Sequence, residues 1–407
     1  MDSSSFDFES LHEDLQMQIL SWLPLKSLVK FLIVSKKWAS IILGEQFRKI
    51  YLSRSMTRPR LMFMIERYTS QPPSAPPELD MSWLNSVYQE GRLIPVSPDT
   101  EVLFHSVYQE EKPLLSSGQQ QLRIPIDIMA CHFSQPIRGL ICLQLGTKFA
   151  IFNPGAKKLR KLPEIQAHEN AWIKSFLGYD EATNVFKVLC RTSLMMSGQE
   201  TKEYHVLTVG SVEDEEPWRR ITCKYDHSPA IEGLWKEGVL YYGARFSIDK
   251  SLVVMSFNVR SEQFSTVIEF PDGSAHSRWN FVIYDGNIAL VDNSDFDNDV
   301  VNEPDGTKVF QIFVLDETAR KWRGERIKIH CWEQNVGDME LHFRGTIGTG
   351  KLVFAHYHNR YGRDLFVLYY DTVTKIIRMF NIGNGRVVGD YDVVQTFLDH
   401  VDSLFLM

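Results

Sequence analysis

Cysteine is scarce: Cys131, Cys142, Cys190, Cys223 and Cys331 are the only five in 407 residues, odd in number and far apart. Such a set builds no disulfide framework and has no zinc-ligand spacing, so reduced, mostly buried thiols are expected, with no metal and no other cofactor. No run reaches the roughly 18 apolar residues of a membrane span, and the opening MDSSSFDFES carries acid where a signal peptide carries base. There is no N-x-S/T glycan acceptor either. An intracellular protein of the nucleus or cytoplasm, with no membrane partner, is expected. A long lysine or arginine run is also missing at a net charge of -7, which removes the footprint needed on nucleic-acid phosphates. No G-x-S-x-G elbow occurs and no cysteine lies in a nucleophile motif, so no catalytic residue is nominated.

Several near-motifs fail on one residue each. GTIGTGKL (Gly345–Leu352) almost spells a phosphate loop, but Leu352 replaces the magnesium-binding hydroxyl and a strand-like LVFAHYH follows, so a glycine hairpin turn is expected. Asp295, Asp297 and Asp299 alternate like the start of a calcium loop, yet Val300 and Gly306 stand where glycine and glutamate belong, leaving a solvated loop. His356 and His358 would share a strand face as a surface pair without a third ligand. KKLRK (Lys157–Lys161) reads as a solvated turn.

What is present is apolar and aromatic: 44% hydrophobic and 12% aromatic residues, enough for a large domain and a small one. Before Tyr51 the spacing is helical. Ser10 and Glu13 have capping-box spacing for a helix starting near Leu11, which places Leu15, Ile19 and Leu23 on one face until Pro24 denies it a donor. A second helix starts at Pro24 or Leu25 and carries Leu28, Phe31, Leu32 and Ile33; a third follows Ser35 with Trp38, Ile41 and Ile42. Phe31 to Val34 would cover nearly the whole circumference of a helix, more than one neighbour hides. A unit of about 45 residues seldom supplies more than roughly 3–5 kcal/mol from its own core, so this surplus points to a partner protein. The plainer alternative is a helical cap packed on the larger domain.

From Arg138 onward short apolar runs such as GLICLQL, FKVLCRT and LFVLYYD alternate with turn residues. SQPPSAPPEL (Ser70–Leu79) and SSGQQQ (Ser116–Gln121) read as loops. An Asn or Asp opens a turn, and an apolar residue returns six positions later, in Asn153–Leu159, Asp180–Phe186, Asn258–Phe264, Asp316–Trp322 and Asp371–Ile377. Five loose copies suit a degenerate β-propeller, whose radial repetition protects strand edges, better than an open sheet. A two-sheet β-sandwich is the alternative fold.

The amino-terminal segment resembles an F-box: Leu11, Glu13, Asp14, Leu15, Ile19, Leu20, Leu23, Pro24, Lys26, Ser27, Leu28, Phe31, Val34 and Trp38 fill its pattern in order. His12 stands where proline is usual and Lys30 where arginine is commoner, losing a favoured first-turn residue and a bidentate fork. GLICLQLGTKFAIFNPGAKKLRKLP, FLGYDEATNVFKVL, MSFNVRSEQFSTVIEFP and IFVLDETARKWRGERI resemble the F-box-associated domain of plants and, more faintly, kelch repeats, over most of Ile137–Ile382. Paired kelch glycines are missing, with Gly233, Gly238 and Gly243 as scattered stand-ins.

The fold expected is α+β multidomain: a disordered tail at 1–6, a three-helix F-box at 7–52 and an all-β, propeller-like domain at 53–407, with blade number open. The resemblance implies a non-catalytic substrate receptor of an SCF-type cullin ubiquitin ligase, binding a Skp-type adaptor, and through it a cullin, by Leu11, Leu15, Ile19, Leu23, Pro24, Leu25 and Leu28. The β-domain would hold a protein target through residues the sequence leaves unknown. Competing readings are a small-molecule-binding or hydrolytic propeller with an incidental helical cap, and a filament-binding scaffold.

Overall fold

The computed structural model describes residues 8–68, 100–109, 120–125, 131–168, 170–196, 199–210, 217–247, 249–271, 279–292, 305–337, 339–359, 365–382 and 392–406. Ser70–Leu79, Asp295, Asp297 and Asp299 lie outside these, as do residues 1–6; of SSGQQQ only Gln120 and Gln121 lie inside, and they open a strand rather than continue a loop.

The chain starts with helices α1 (Glu13–Ser21), α2 (Leu25–Phe31), α3 (Lys36–Leu43) and α4 (Glu45–Met56). Three were expected; the fourth, EQFRKIYLSRSM, carries only Phe47 and Tyr51 inward, too sparse an apolar stripe to stand out. It runs past Leu52, to Met56. α1 starts two residues later than the capping box suggested, with His12 as its cap: His12 Nδ1 accepts from the Asp14 amide (3.4 Å). Helix α2 stops at Phe31, so Ile33 and Val34 lie in the turn before α3 and not on a helix.

Twenty-six strands follow among the described residues, and they begin at Arg60, ahead of Arg138, from which strands were expected to dominate. The first three, β1 (Arg60–Tyr68), β2 (Thr100–Tyr108) and β3 (Gln120–Pro125), belong to a blade that the end of the chain completes. Blade one holds β4 (Cys131–Phe133), β5 (Ile141–Leu145), β6 (Lys148–Asn153) and β7 (Lys158–Leu162); blade two holds β8 (Trp172–Asp180), β9 (Val185–Met196), β10 (Gln199–Val209) and β11 (Arg219–Ile221). In blade three, β12 (His227–Pro229) and β13 (Leu234–Lys236) share the inner edge of β14 (Val239–Phe246), followed by β15 (Leu252–Asn258) and β16 (Gln263–Glu269). Blade four holds β17 (Trp279–Tyr284), β18 (Asn287–Asp292), β19 (Lys308–Asp316) and β20 (Lys321–Ile329). Blade five holds β21 (His342–Thr346), β22 (Leu352–Ala355), β24 (Phe366–Tyr370) and β25 (Ile377–Asn381); β23 (His358–Asn359) instead joins β26 (Asp392–His400), which pairs with β1 and makes blade six.

Six apolar clusters lie between consecutive blades and close the circle. Phe104 meets Phe152 between blades six and one, and Cys142 packs with Val188 between one and two. Phe176 packs with Tyr242, Leu290 with Ile231, Phe310 with Phe354, and Phe63 with Val353 in the four that follow. A sandwich has one shared interior, so this alternation rules it out and fixes a six-bladed propeller.

The sequence repeat acquires a physical cause. Backbone amides donate to Oδ1 of Asn153, Asp180, Asn258, Asp316 and Asp371 two or three residues downstream (2.8–3.0 Å), and the fifth residue of each turn, Lys157, Asn184, Glu262, Arg320 or Lys375, is left-handed with φ of 53–60°. Four of these join the third and fourth strands of a blade. Asp180 is the exception, joining the first and second. KKLRK accordingly supplies one turn residue, Lys157, and then strand β7.

GTIGTGKL forms the expected hairpin between β21 and β22. Gly345, at a bulge, has φ of 123°, and a Cβ there would stand 2.5 Å from the Ile283 carbonyl of the neighbouring blade. Gly345→Ala is expected to cost about 1–3 kcal/mol through that clash and backbone strain, read as a lower urea midpoint at unchanged slope. His356 is not a surface residue as expected: it is buried just beyond β22, while His358 starts β23.

Three other buried histidines, His105, His227 and His400, are each pushed down to about 4 by burial, from an ordinary 6.5. The folded chain keeps them neutral while the unfolded chain protonates them below 6.5, so stability is full above that pH and falls towards pH 4. The urea midpoint is expected to be flat from pH 7 to 8 and to drop between pH 6.5 and 4.5, with net proton uptake on unfolding; a flat profile across that window contradicts it.

Candidate partner-binding surfaces

The helical module has a filled core, to which the propeller contributes. Met17, Leu20, Leu25, Leu28, Ile41, Ile42, Phe47 and Tyr51 are buried together, and the propeller adds Ala156 and Leu404 to the same cluster. The Gln16 amide ties the preceding short helical turn to α1 by donating to the carbonyls of Leu11 (2.8 Å) and Phe8 (3.2 Å). Trp38 is held edge-on by Phe8 and Phe31.

This core divides the nominated adaptor residues. Leu15, Ile19 and Pro24 are exposed, and Leu11 and Leu23 are half-buried. Leu25 and Leu28 are 0% exposed and hold α2 against α3 and α4. Their assignment to the contact face is corrected: helical spacing shows which residues share a stripe, but not whether that stripe faces in or out. Sequence reasoning missed Trp22, 63% exposed beneath the Arg54 guanidinium; its position three after Ile19 was the available signal. Ile33 and Val34, 89% and 64% exposed, carry the surplus apolar surface that the sequence had placed on a helix.

The module is fastened to one face of the propeller by the end of the chain. Arg60, where β1 begins, pairs with Asp402 (3.2 Å) in a buried ion pair and lies over the Tyr108 ring. The Asp402 amide donates to Ser55 Oγ of α4 (2.7 Å), and the Asn153 side-chain amide donates to the carbonyls of Ser403 and Phe405 (both 2.9 Å). Gly139 is required where the tail crosses: its φ is 82°, and a Cβ would lie 2.5 Å from the Val401 carbonyl. Arg138, in the turn after β4, reaches Met56 of α4 and pairs with Glu181 (2.6 Å). All these groups sit where the innermost strands end or where third and fourth strands turn, so the helical module occupies that face.

An axial cavity of about 540 Å³ opens on the same face, with walls from Trp235, Phe281, Leu398 and Arg344 and with Met56 and Pro59 at its edge. On the opposite face, where β8 starts and β9 ends, Trp172 and Met195 are 51% and 68% exposed. Polar groups nearby are matched among themselves: Glu232 accepts from Lys174 and pairs with His132 (3.0 Å). Burial pushes the Cys142 thiol up to about 12 and raises Cys190 as well, so both are poor nucleophiles at neutral pH. Among the described residues no group of three or more His, Cys, Asp or Glu could hold a metal ion.

Comparison with known proteins agrees with this division. The F-box domain family matches residues 8–50, and the family described as F-box associated beta propeller domain matches residues 92–401. An F-box protein of Arabidopsis thaliana is 59% identical over 404 residues, covering 98% of each chain, and an F-box/kelch-repeat protein of the same plant is 30% identical over 410 residues, covering 96% of this chain and 91% of that one. Among solved structures, a luciferin-regenerating enzyme superposes with a TM-score of 0.34 at 11% identity, over 75% of this chain and 89% of that one. The chain therefore belongs to the plant F-box proteins whose second domain is an F-box-associated β-propeller.

Proposed function

We propose that the chain is the substrate receptor of an SCF-type cullin ubiquitin ligase, with the F-box holding a Skp-type adaptor and the propeller holding a protein target. One observation carries the reading: Leu15, Ile19, Trp22, Ile33 and Val34 stay exposed on a module whose own core is already filled. Fully burying an exposed Leu, Ile or Val side chain is worth roughly 1.5–3 kcal/mol, and Leu15 and Ile19, 48% and 44% exposed, have about half of that still to gain. A partner of matching apolar shape recovers that energy, and a cap serving only the propeller would have turned these residues inward.

The mechanism is placement without bond-making by this chain. The tail locks the F-box onto one propeller face, so a target on the opposite face is held at a fixed offset from the adaptor. Its lysines then meet a charged conjugating enzyme, recruited through the cullin, at high effective concentration. Trp172 and Met195 are the nominated target contacts, apolar side chains on the unobstructed face. Such a receptor works where adaptor and cullin are, inside the cell.

Affinity purification of the tagged full chain from the native cell is expected to recover adaptor and cullin. Trp172→Ala with Met195→Ala is expected to keep both and to lose, by about tenfold, the proteins enriched under proteasome inhibition. Recovery of neither adaptor nor cullin contradicts the reading.

A further inference from the structure

Arg344 lies on β21, an inner strand, and contributes to the cavity wall. Arginine keeps its charge in proteins, and a charge shielded from water is costly without a counter-ion. Its Nη2 donates to the His356 carbonyl (2.9 Å) and its guanidinium carbon lies 5.7 Å from the Tyr357 ring centre. Its Nε, shielded from solvent, has no acceptor, and no carboxylate pairs with Arg344 among the described residues. Burial holds its pKa down at about 10.

The other charges of the wall are accounted for. Arg138 is paired with Glu181 (2.6 Å) and Lys236 with Glu317 (2.6 Å), and Asp399 accepts from the Gln109 side-chain amide (3.0 Å). Glu237 and Asp399 are exposed, so they line the rim. Thr396, on the inner strand β26 of the next blade, also contributes to the wall, but its hydroxyl is sealed from the cavity. One guanidinium without a counter-charge thus remains beside apolar walls.

We propose that the axial cavity binds a small organic monocarboxylate, with the carboxylate on Arg344 and the apolar body against Trp235, Phe281 and Leu398. About 540 Å³ is the size of a pocket that encloses a small molecule. The flat fork of a guanidinium matches a carboxylate at two points. One unmatched cation calls for one negative charge; a phosphate dianion brings a second and passes the acidic rim. Since Met56 and Pro59 border the cavity, an occupant also braces the joint between F-box and propeller.

The test uses the purified full chain with hexanoate, phenylacetate and 4-phenylbutyrate, their amides, and inorganic phosphate, followed by thermal midpoint and calorimetric titration. At least one carboxylate is expected to raise the midpoint saturably, with its amide and phosphate at least about tenfold weaker. Arg344→Gln is expected to weaken it by about tenfold or more. Without ligand, Arg344→Met is expected to raise the urea midpoint, because it removes a half-buried charge with no carboxylate beside it. The proposal is overturned if no carboxylate shifts the midpoint up to about 10 mM, if amides bind equally, if Arg344→Gln binds normally, or if Arg344→Met lowers the ligand-free midpoint.

Discussion

Leu15→Asp combined with Ile19→Asp is expected to weaken capture of the Skp-type adaptor by about a thousandfold while the thermal midpoint of the free chain moves by no more than a few degrees. Both residues lie on the outer face of α1, 48% and 44% exposed, four apart and so side by side. Central apolar contacts of an interface cost about 2 kcal/mol or more each when lost, and 1.4 kcal/mol is a factor of ten. Neither aspartate is forced into the interior, so the fold is spared. Leu28→Asp behaves oppositely: Leu28 is fully buried, its replacement sets an unpaired carboxylate in the core of the module, and binding is lost because α2 and α3 come apart. Pull-down with purified adaptor, with circular dichroism on the same samples, separates the two. Retained binding by Leu15→Asp with Ile19→Asp places the contact elsewhere.

Asp402→Ala is expected to destabilise the chain by about 3–5 kcal/mol, the usual cost of stripping one partner from a buried ion pair. The guanidinium of Arg60 is 1% exposed and the carboxylate of Asp402 5%. Removing the carboxylate takes the ion-pair partner from that guanidinium at the point where β1, the tail after β26 and α4 meet. Replacing both, as Arg60→Met with Asp402→Leu, is expected to recover much of the loss, because the desolvation cost disappears with the pair. Urea unfolding of the two variants reads the difference, and an Asp402→Ala midpoint equal to wild type contradicts the role given to the tail. Loosening the tail is also expected to let the F-box melt apart from the propeller, since Leu404 and Ala156 contribute to its core.

The sequence carried much of this, unevenly. The Asx turns were legible because one chemistry recurs: a side-chain oxygen accepts from the backbone, and a left-handed residue follows at a fixed offset. Helices α2 and α3 were legible from Pro24 and Ser35, which stand just before them. Blade closure was not, because β1 and β26 lie at opposite ends of the propeller sequence and local pattern says nothing of long-range pairing. In the same way the Arg60–Asp402 pair joins residues 342 positions apart. The direction in which Leu25 and Leu28 face depended on α4, whose weak stripe hid it. The cavity is likewise a property of the ring: Trp235, Phe281, Arg344 and Thr396 come from four blades and share no motif.

Hydrogen exchange of the full chain, alone and with purified adaptor, tests the central claim most directly. The account predicts slowed exchange in residues 13–22 and 31–35, where exposed apolar side chains become covered, with the propeller unchanged. Protection confined to the propeller, or none in α1 and the turn after α2, would show that these side chains are not what the partner covers.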